Sequence, residues 1–197
     1  MWSELQRMDG FRYISYAQEV IFAPGALARL REAVEQRGWQ RVMLCTSQSM
    51  RTAGWVSQLK SILGEKLVAI FDHIQPHVQD VQVHEALTLA QENHVDAILG
   101  MGGGSPIGMA KAVGFQLHLP IIAIPTTYAG SEMTPVYGIT HTDENPPRKV
   151  TVSDPKIVPS LVMYDPELAL DLPAALTAST GINAMAQPGL LSLDLNG

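Results

Sequence analysis

Gly102-Gly103-Gly104-Ser105-Pro106 is the segment of this 197-residue chain whose residue types most directly suggest chemistry. An apolar run from Val95 to Leu99 leads into the glycines, and a helical pattern from Ile107 to Ala112 leaves them. The expected local structure is a strand, a turn without side chains, and a helix capped by Ser105 with Pro106 at its first position. Such a turn aims backbone N–H groups and the positive end of a helix at one point, which suits a phosphate. The pattern predicts the pyrophosphate site of a dinucleotide. Gly100-x-Gly102-x-x-Ser105 only approximates the dinucleotide fingerprint, because no acidic residue ends a strand ~20 residues later. A P-loop is excluded: Lys111 lies too far along the helix, and no Gly-Lys-Ser/Thr follows the glycines.

A second block, Pro125-Thr126-Thr127-Tyr128-Ala129-Gly130-Ser131-Glu132, places hydroxyls and a glycine directly after an apolar run. Threonines there can satisfy loop backbone, or, beside a glycine turn on a neighbouring strand, hydrogen-bond a phosphate or ribose. Lys149 is the nearest candidate cation, and a solvated lysine is its alternative reading. His73, His77, His84, His94, His118 and His141 are scattered. His73 and His77 are four apart, but Pro76 between them argues against a shared helix face. No metal-ligand set and no Ser-His-Asp arrangement follow from the spacing.

The elements that must position these groups alternate. Apolar runs at 41–46, 67–71, 95–99, 120–125 and 161–164 are read as strands, with a strand or hairpin also expected over Arg12–Phe22. Helices are read with Leu27, Leu30 and Val34 on one face, then Val56, Leu59 and Leu63, then Val83, Leu87 and Ala90. The segment Thr134–Thr151 reads as an irregular hairpin over the sheet, and Pro173–Ala186 as a closing helix. Continuous rather than alternating apolar strands imply burial on both faces. The expected fold class is therefore α/β, a Rossmann-like, doubly wound, mostly parallel sheet. Ligands in such sheets collect at the carboxyl ends of the strands, where the glycine turn and Thr126-Thr127 both fall.

Composition narrows the function classes. A formal net charge of −6 and a sequence pI near 5.4 leave no basic stripe for nucleic acid. No apolar run approaches the ~18 residues that read as a membrane span, and the first residues carry no signal core. A cytoplasmic protein with no membrane partner is expected. Cys45, the only cysteine, lies in an apolar run and reads as a buried thiol.

The two glycine- and threonine-rich blocks carry a resemblance. Gly102-Gly103-Gly104-Ser105-Pro106-Ile107-Gly108-Met109-Ala110-Lys111 and Pro125-Thr126-Thr127-Tyr128-Ala129-Gly130-Ser131-Glu132-Met133-Thr134-Pro135 are its core. Val162-Met163-Tyr164-Asp165-Pro166-Glu167-Leu168 and Thr180-Gly181-Ile182-Asn183-Ala184-Met185-Ala186 complete it. Over about Phe11 to Ala186 the chain resembles the iron-containing (group III) alcohol dehydrogenase superfamily, and within it the maleylacetate reductase branch. The resemblance implies NADH or NADPH as cofactor and a small dicarboxylate, 2-maleylacetate, as substrate, reduced to 3-oxoadipate in aromatic-compound degradation. It implies cofactor binding by Gly102, Gly103, Gly104, Ser105, Thr126, Thr127, Ser131 and Lys149, and leaves the catalytic proton donor unassigned. A homodimer is what the full-length family implies. Thr46-Ser47, after the second strand, lack an acidic residue that would repel a 2′-phosphate, so both cofactors are compatible.

Two departures from the metal-dependent members are shared with the maleylacetate reductase branch: Gly108 and Asn183 stand where aspartates are usual. No bound metal is therefore expected, since an amide is a poor substitute for carboxylate on a hard divalent cation. A third departure is Gln187 in place of the family's histidine, followed by Pro188-Gly189, which are expected to break the helix. The expected organisation is a dinucleotide-binding domain over 1–172, the start of a helical second domain over 173–187, and a divergent tail over 188–197. The family's all-helical C-terminal domain is missing from this expectation, so little turnover is expected of this chain. The alternatives are a metal-dependent alcohol or glycerol dehydrogenase of the same superfamily, and an inactive nucleotide-binding fragment.

Overall fold

In the computed structural model, residues 16–75, 77–142 and 146–193 are described, with 184–193 as backbone. Residues 12–15 of the expected first strand, the tail 194–197, and the side chains of Met185 and Gln187 lie outside the described residues. Eight strands are described: β1 Glu19–Phe22, β2 Val42–Cys45, β3 Leu67–Phe71, β4 Ala97–Gly102, β5 Ile121–Pro125, β6 Val136–His141, β7 Arg148–Ser153 and β8 Leu161–Tyr164. The helices are α1 Leu30–Gln36, α2 Gln48–Thr52, α3 Trp55–Leu63, α4 Asp80–Glu92, α5 Gly104–Leu117 and α6 Ala174–Leu193.

Six strands form one sheet in the order β1-β8-β5-β4-β2-β3, and every described pairing within it is parallel. β2, β4 and β5 are buried along their whole length, as helices on both faces require. Alternate residues supply two separate cores. Val42, Leu44, Leu99, Met101, Ile122 and Ile124 meet Leu30, Val34, Leu59 and Leu63 on one side. Met43, Cys45, Ile98 and Ile121 meet Val83, Ala86, Met109 and Val113 on the other. The fold is thus the doubly wound α/β sheet read from the apolar runs. Burial of Cys45 pushes its thiol far above the ordinary range, consistent with a packing role.

The order of strands fixes where a ligand can bind. From β2 the chain moves outward to β3, then returns across β2 to β4 and continues outward to β5. Adjacent strands β2 and β4 therefore send their following helices in opposite directions, which opens a crevice at their carboxyl ends. The Thr46 hydroxyl, buried directly after β2, donates to the Met101 carbonyl of β4 at 2.8 Å and ties the two ends together.

Three local expectations are corrected. The N-cap of α5 is Gly103, and α5 has no side-chain cap. Ser105 is inside the first turn, where its Oγ accepts the His77 N–H at 3.2 Å. The reason is the length of β4, which runs on through Gly100 and Gly102 and leaves only Gly103 for the turn. Thr134–Thr151 contains a regular antiparallel ladder, β6 against β7, rather than an irregular one. The third correction concerns Pro188-Gly189, because α6 runs through them to Leu193. An internal proline removes one helix hydrogen bond and costs about 3 kcal/mol, but the segment is otherwise rich in Ala and Leu, which favour helix.

α5 lies unusually close to β4. A Cβ on Gly100 would fall 2.9 Å from the Ala110 Cβ and 3.1 Å from the Ile107 Cα and the Pro106 oxygen. Two of these neighbours are backbone and have no room to yield. Gly100→Ala is expected to destabilise the chain by about 1–3 kcal/mol through overpacking, read as a lower denaturant midpoint with an unchanged slope.

Candidate functional site

Two hollows meet at the glycine turn. One, of about 430 Å³, fills the β2/β4 crevice and is lined by Ser47, Gln48, Ser49, Ile74, Gln75 and the Gly103–Pro106 backbone. The other, of about 740 Å³, extends past the same Gly103, Gly104 and Ser105 to Thr127, Ser131, Lys149 and Asn183. The N-terminal turn of a 14-residue helix is thus shared between them, and its amide groups and helix dipole favour an anion there. Gly103 lets the threonine loop come close to this turn, since a Cβ there would press within 3.3 Å of the Thr127 Oγ1.

Of the residues expected to bind cofactor, Gly103, Gly104, Ser105, Thr127, Ser131 and Lys149 come together in the larger cleft. Gly102 and Thr126 do not line it. They clasp β4 to β5: the Gly102 carbonyl accepts the Thr126 N–H at 3.0 Å. Gly102 has φ of 140°, a conformation that side chains disfavour, and a Cβ there would strike the Pro106 ring at 2.8 Å. Thr126 lines instead a largely apolar hollow of about 500 Å³ with Phe22, Met133 and Tyr164, which adjoins the cleft at Thr127.

Lys149 is exposed and reaches the cleft from β7 across Gly138 of β6. A Cβ at 138 would sit 2.8 Å from the lysine Cε, so the glycine leaves the path that the side chain follows. α6 closes the cleft from the other side. The Thr180 hydroxyl donates to the Leu176 carbonyl at 2.8 Å and accepts the Tyr128 N–H at 3.3 Å, which latches the helix onto the threonine loop. Asn183 lies one turn further along and lines the cleft.

The residue that the sequence analysis set aside proves to organise the site. Lys111 is fully buried on α5, and its Nζ donates to the carbonyls of Ser131, Thr134 (2.8 Å) and Val136 (2.9 Å). Three donors meet three carbonyls, with the Thr134 hydroxyl beside them at 3.2 Å. Burial drives this lysine's pKa down to about 7, opposed by the nearby Glu132 carboxylate. Glu132 is itself 3% exposed. One of its oxygens accepts the Tyr164 hydroxyl at 2.7 Å, and the other has no partner among the described residues. Burial, the hydrogen bond to Glu132 and its charge push the Tyr164 phenol strongly upward. One signal in the sequence pointed to the lysine: it is the only charged residue in α5, whose other residues are largely apolar on every side.

A parallel, doubly wound sheet with a glycine-opened helix at its switch point is the class that the geometry defines. The comparisons sharpen it. Residues 17–166 match the family model described as iron-containing alcohol dehydrogenase, and the chain belongs to that family. It is 37% identical over 188 residues to the maleylacetate reductase of Sphingobium indicum, covering 94% of this chain and 51% of that protein. The crystal structure of maleylacetate reductase from Agrobacterium tumefaciens superposes with a TM-score of 0.84 at 32% identity, over 91% of this chain and 49% of that one. Sulfoacetaldehyde reductase from Bifidobacterium kashiwanohense, solved in complex with NAD+, gives 0.83 at 25% identity, over 90% and 52%. The chain spans about half the length of the relatives it matches.

The family description names iron, and the described residues do not fit it. The cleft offers the Asn183 amide, His77 and hydroxyls, with no carboxylate among its described lining residues. Among the described residues no group of three His, Cys, Asp or Glu is placed to hold a metal. Neutral amide and hydroxyl oxygens are weak ligands for such an ion. Likewise, no described helix is long and apolar enough to cross a membrane.

Replacing Lys111 by Met should strip the Ser131, Thr134 and Val136 carbonyls of their donor, at about 1–3 kcal/mol for each group left unpaired. The pH dependence has a definite sign. The folded-state pKa of about 7 lies below the ordinary lysine value of 10.5, so above pH 7 the unfolded chain binds more protons than the folded one. Wild-type stability relative to Lys111→Met should therefore rise between pH 7 and 10, as read by urea unfolding across that range. A flat difference would contradict it.

Proposed function

We propose that this chain forms the cofactor-binding half of an NAD(P)H-dependent reductase of the maleylacetate class, acting on a small dicarboxylate. The observation that carries the reading is the pair of hollows that share one glycine turn. A dinucleotide has that form, two nucleosides joined at a pyrophosphate. The Gly103–Ser105 backbone binds the pyrophosphate. Ser47, which precedes α2, and Ser49, in its first turn, accept the adenosine side, and no acidic residue lines that hollow to repel a 2′-phosphate. Thr127, Ser131 and Lys149 hold the other nucleotide in the larger cleft.

The cofactor supplies hydride chemistry when bound. This chain's residues bind and orient it, and the closure of α6 over Thr127 and Tyr128 limits water on that side. Reduction of a carbon–carbon double bond also needs a proton at the neighbouring carbon and cationic groups for the substrate carboxylates. Lys149 is the lysine that the described cleft provides. The similarity to maleylacetate reductases, together with Gly108 and Asn183 in the cleft, favours this branch over metal-dependent alcohol oxidation.

Fluorescence titration of NADH and NADPH into the purified chain tests the reading. Saturable one-site binding is expected for both. Lys149→Met should weaken it about 10–100-fold, the loss of one charged hydrogen-bonding contact, without lowering the melting temperature. A chain that melts cooperatively yet binds neither cofactor would overturn the proposal.

A further inference from the structure

Three parts of the cleft wall hang on the Lys111 ammonium. Ser131 lines the cleft and gives its carbonyl to Nζ. Val136, whose carbonyl Nζ also holds, leads directly into Tyr137 and Gly138, which line the cleft too. Lys149 reaches the same space across Gly138. A charged lysine has three N–H donors, one for each of the Ser131, Thr134 and Val136 carbonyls. The Thr134 hydroxyl, 3.2 Å from Nζ, then finds no lone pair on the nitrogen and donates to the Ser131 carbonyl at 3.1 Å.

Loss of one proton rearranges this set. A neutral amine keeps two N–H donors and gains a lone pair. The lone pair suits the Thr134 hydroxyl, and the two donors serve the Thr134 and Val136 carbonyls. The Ser131 carbonyl then loses both of its donors, and Ser131 is the member of the set that lines the cleft. We propose that Lys111 is a positioning residue for the dinucleotide, and that filling the cleft favours the protonated amine, so that affinity follows the charge on this lysine. This rests on the dinucleotide reading of the same cleft. The ligand's phosphates act with the same sign, since an anion in the cleft favours a cation behind its wall.

The elements packed against α5 leave Glu132 as the charged group that answers the lysine. β4 and β5 carry no titratable side chain. Cys45 of β2, Tyr137 of β6 and Tyr164 of β8, which reaches in through Glu132, are all pushed upward by burial and keep their protons. α4 turns Gln82, Val83, Ala86 and Ala90 inward and leaves His84, Glu85 and Glu92 exposed. Its Asp80 is engaged by Thr142 and by His141 at the end of β6. Lys156, in the turn Pro155–Ile157, is exposed. Burial holds the Lys111 pKa down to about 7 while the Glu132 charge opposes the fall, so the charge on Lys111 changes near neutral pH.

NADH is the probe, because its pyrophosphate keeps its charge from about pH 6 to 9. Fluorescence titration should show wild-type affinity falling about tenfold over that range as Lys111 loses its proton. Calorimetry just above pH 7, in buffers of different ionisation enthalpy, should show net proton uptake on binding. Glu132→Gln removes the charge that helps the lysine keep its proton, so the fall should begin at lower pH. Lys111→Met should bind weakly, with a flat profile and no uptake. His77→Asn, which removes the imidazole lining the cleft, should keep the wild-type slope whatever its affinity. Stability relative to Lys111→Met rises with pH while affinity falls, so a general loosening of the fold cannot imitate the result. Glu132→Gln and the wild-type proton count decide the matter even where Lys111→Met does not fold. A flat wild type without proton uptake, an unmoved Glu132→Gln midpoint, or a slope lost in His77→Asn would overturn the proposal and leave the dinucleotide site intact. A folded wild type that fails to bind NADH at every pH would overturn both.

Discussion

A single buried ammonium decides how the functional half of this molecule is assembled. α5 has almost no polar face with which to meet solvent, and Lys111 is its one charged side chain. The helix can be buried only if that charge finds acceptors, and it finds them in the loop that follows β5. A buried cation without partners would be prohibitively costly, so the 131–136 segment must fold back onto α5 whenever the helix docks. That return sets Ser131 at the wall of the cleft and starts β6, which brings β7 and Lys149 with it. Glu132 adds a compensating charge from the next residue, and its bond from Tyr164 carries the tie to the end of β8.

The sheet supplies the other half of the arrangement. The reversal of chain direction between β2 and β4 opens a crevice, and the close fit of α5 on β4 at Gly100 brings the helix N-terminus to its edge. Gly103 then serves both sides, as the turn itself and as the wall shared by two hollows. Asp165 secures the far edge by accepting the N–H groups of Gly25 and Leu27. The framework that carries the glycine turn is thus fixed by polar ties at strand ends, while its bulk is apolar.

Much of this framework could be read from the residues. Runs such as Val42–Cys45 and Ile121–Pro125 are unambiguous because strands buried on both faces leave no polar alternation. The face Leu27, Leu30, Val34 closes on Gly38, whose φ of 74° matches its place after a helix. What escaped has physical causes. α2 buries none of its residues, so no periodicity announces it. Ser105 resembled a cap because the extension of β4 through its glycines depends on pairing with β5, which is a tertiary fact. Thr126 and Thr127 are adjacent and chemically alike, yet only Thr127 reaches the larger cleft, while both line the apolar hollow beside it. Lys111, by contrast, had a marker in the apolar helix around it.

In the proposed function, the glycine turn, the threonine loop and the β6–β7 hairpin form one cofactor cleft. Amide hydrogen exchange of the 197-residue chain with and without saturating NADH tests it most directly. Slowed exchange is expected at Gly103–Ser105, Thr127–Ser131 and Arg148–Ser153 together. Protection confined to the hollow around Phe22, Met133 and Tyr164, with the glycine turn unchanged, would contradict it.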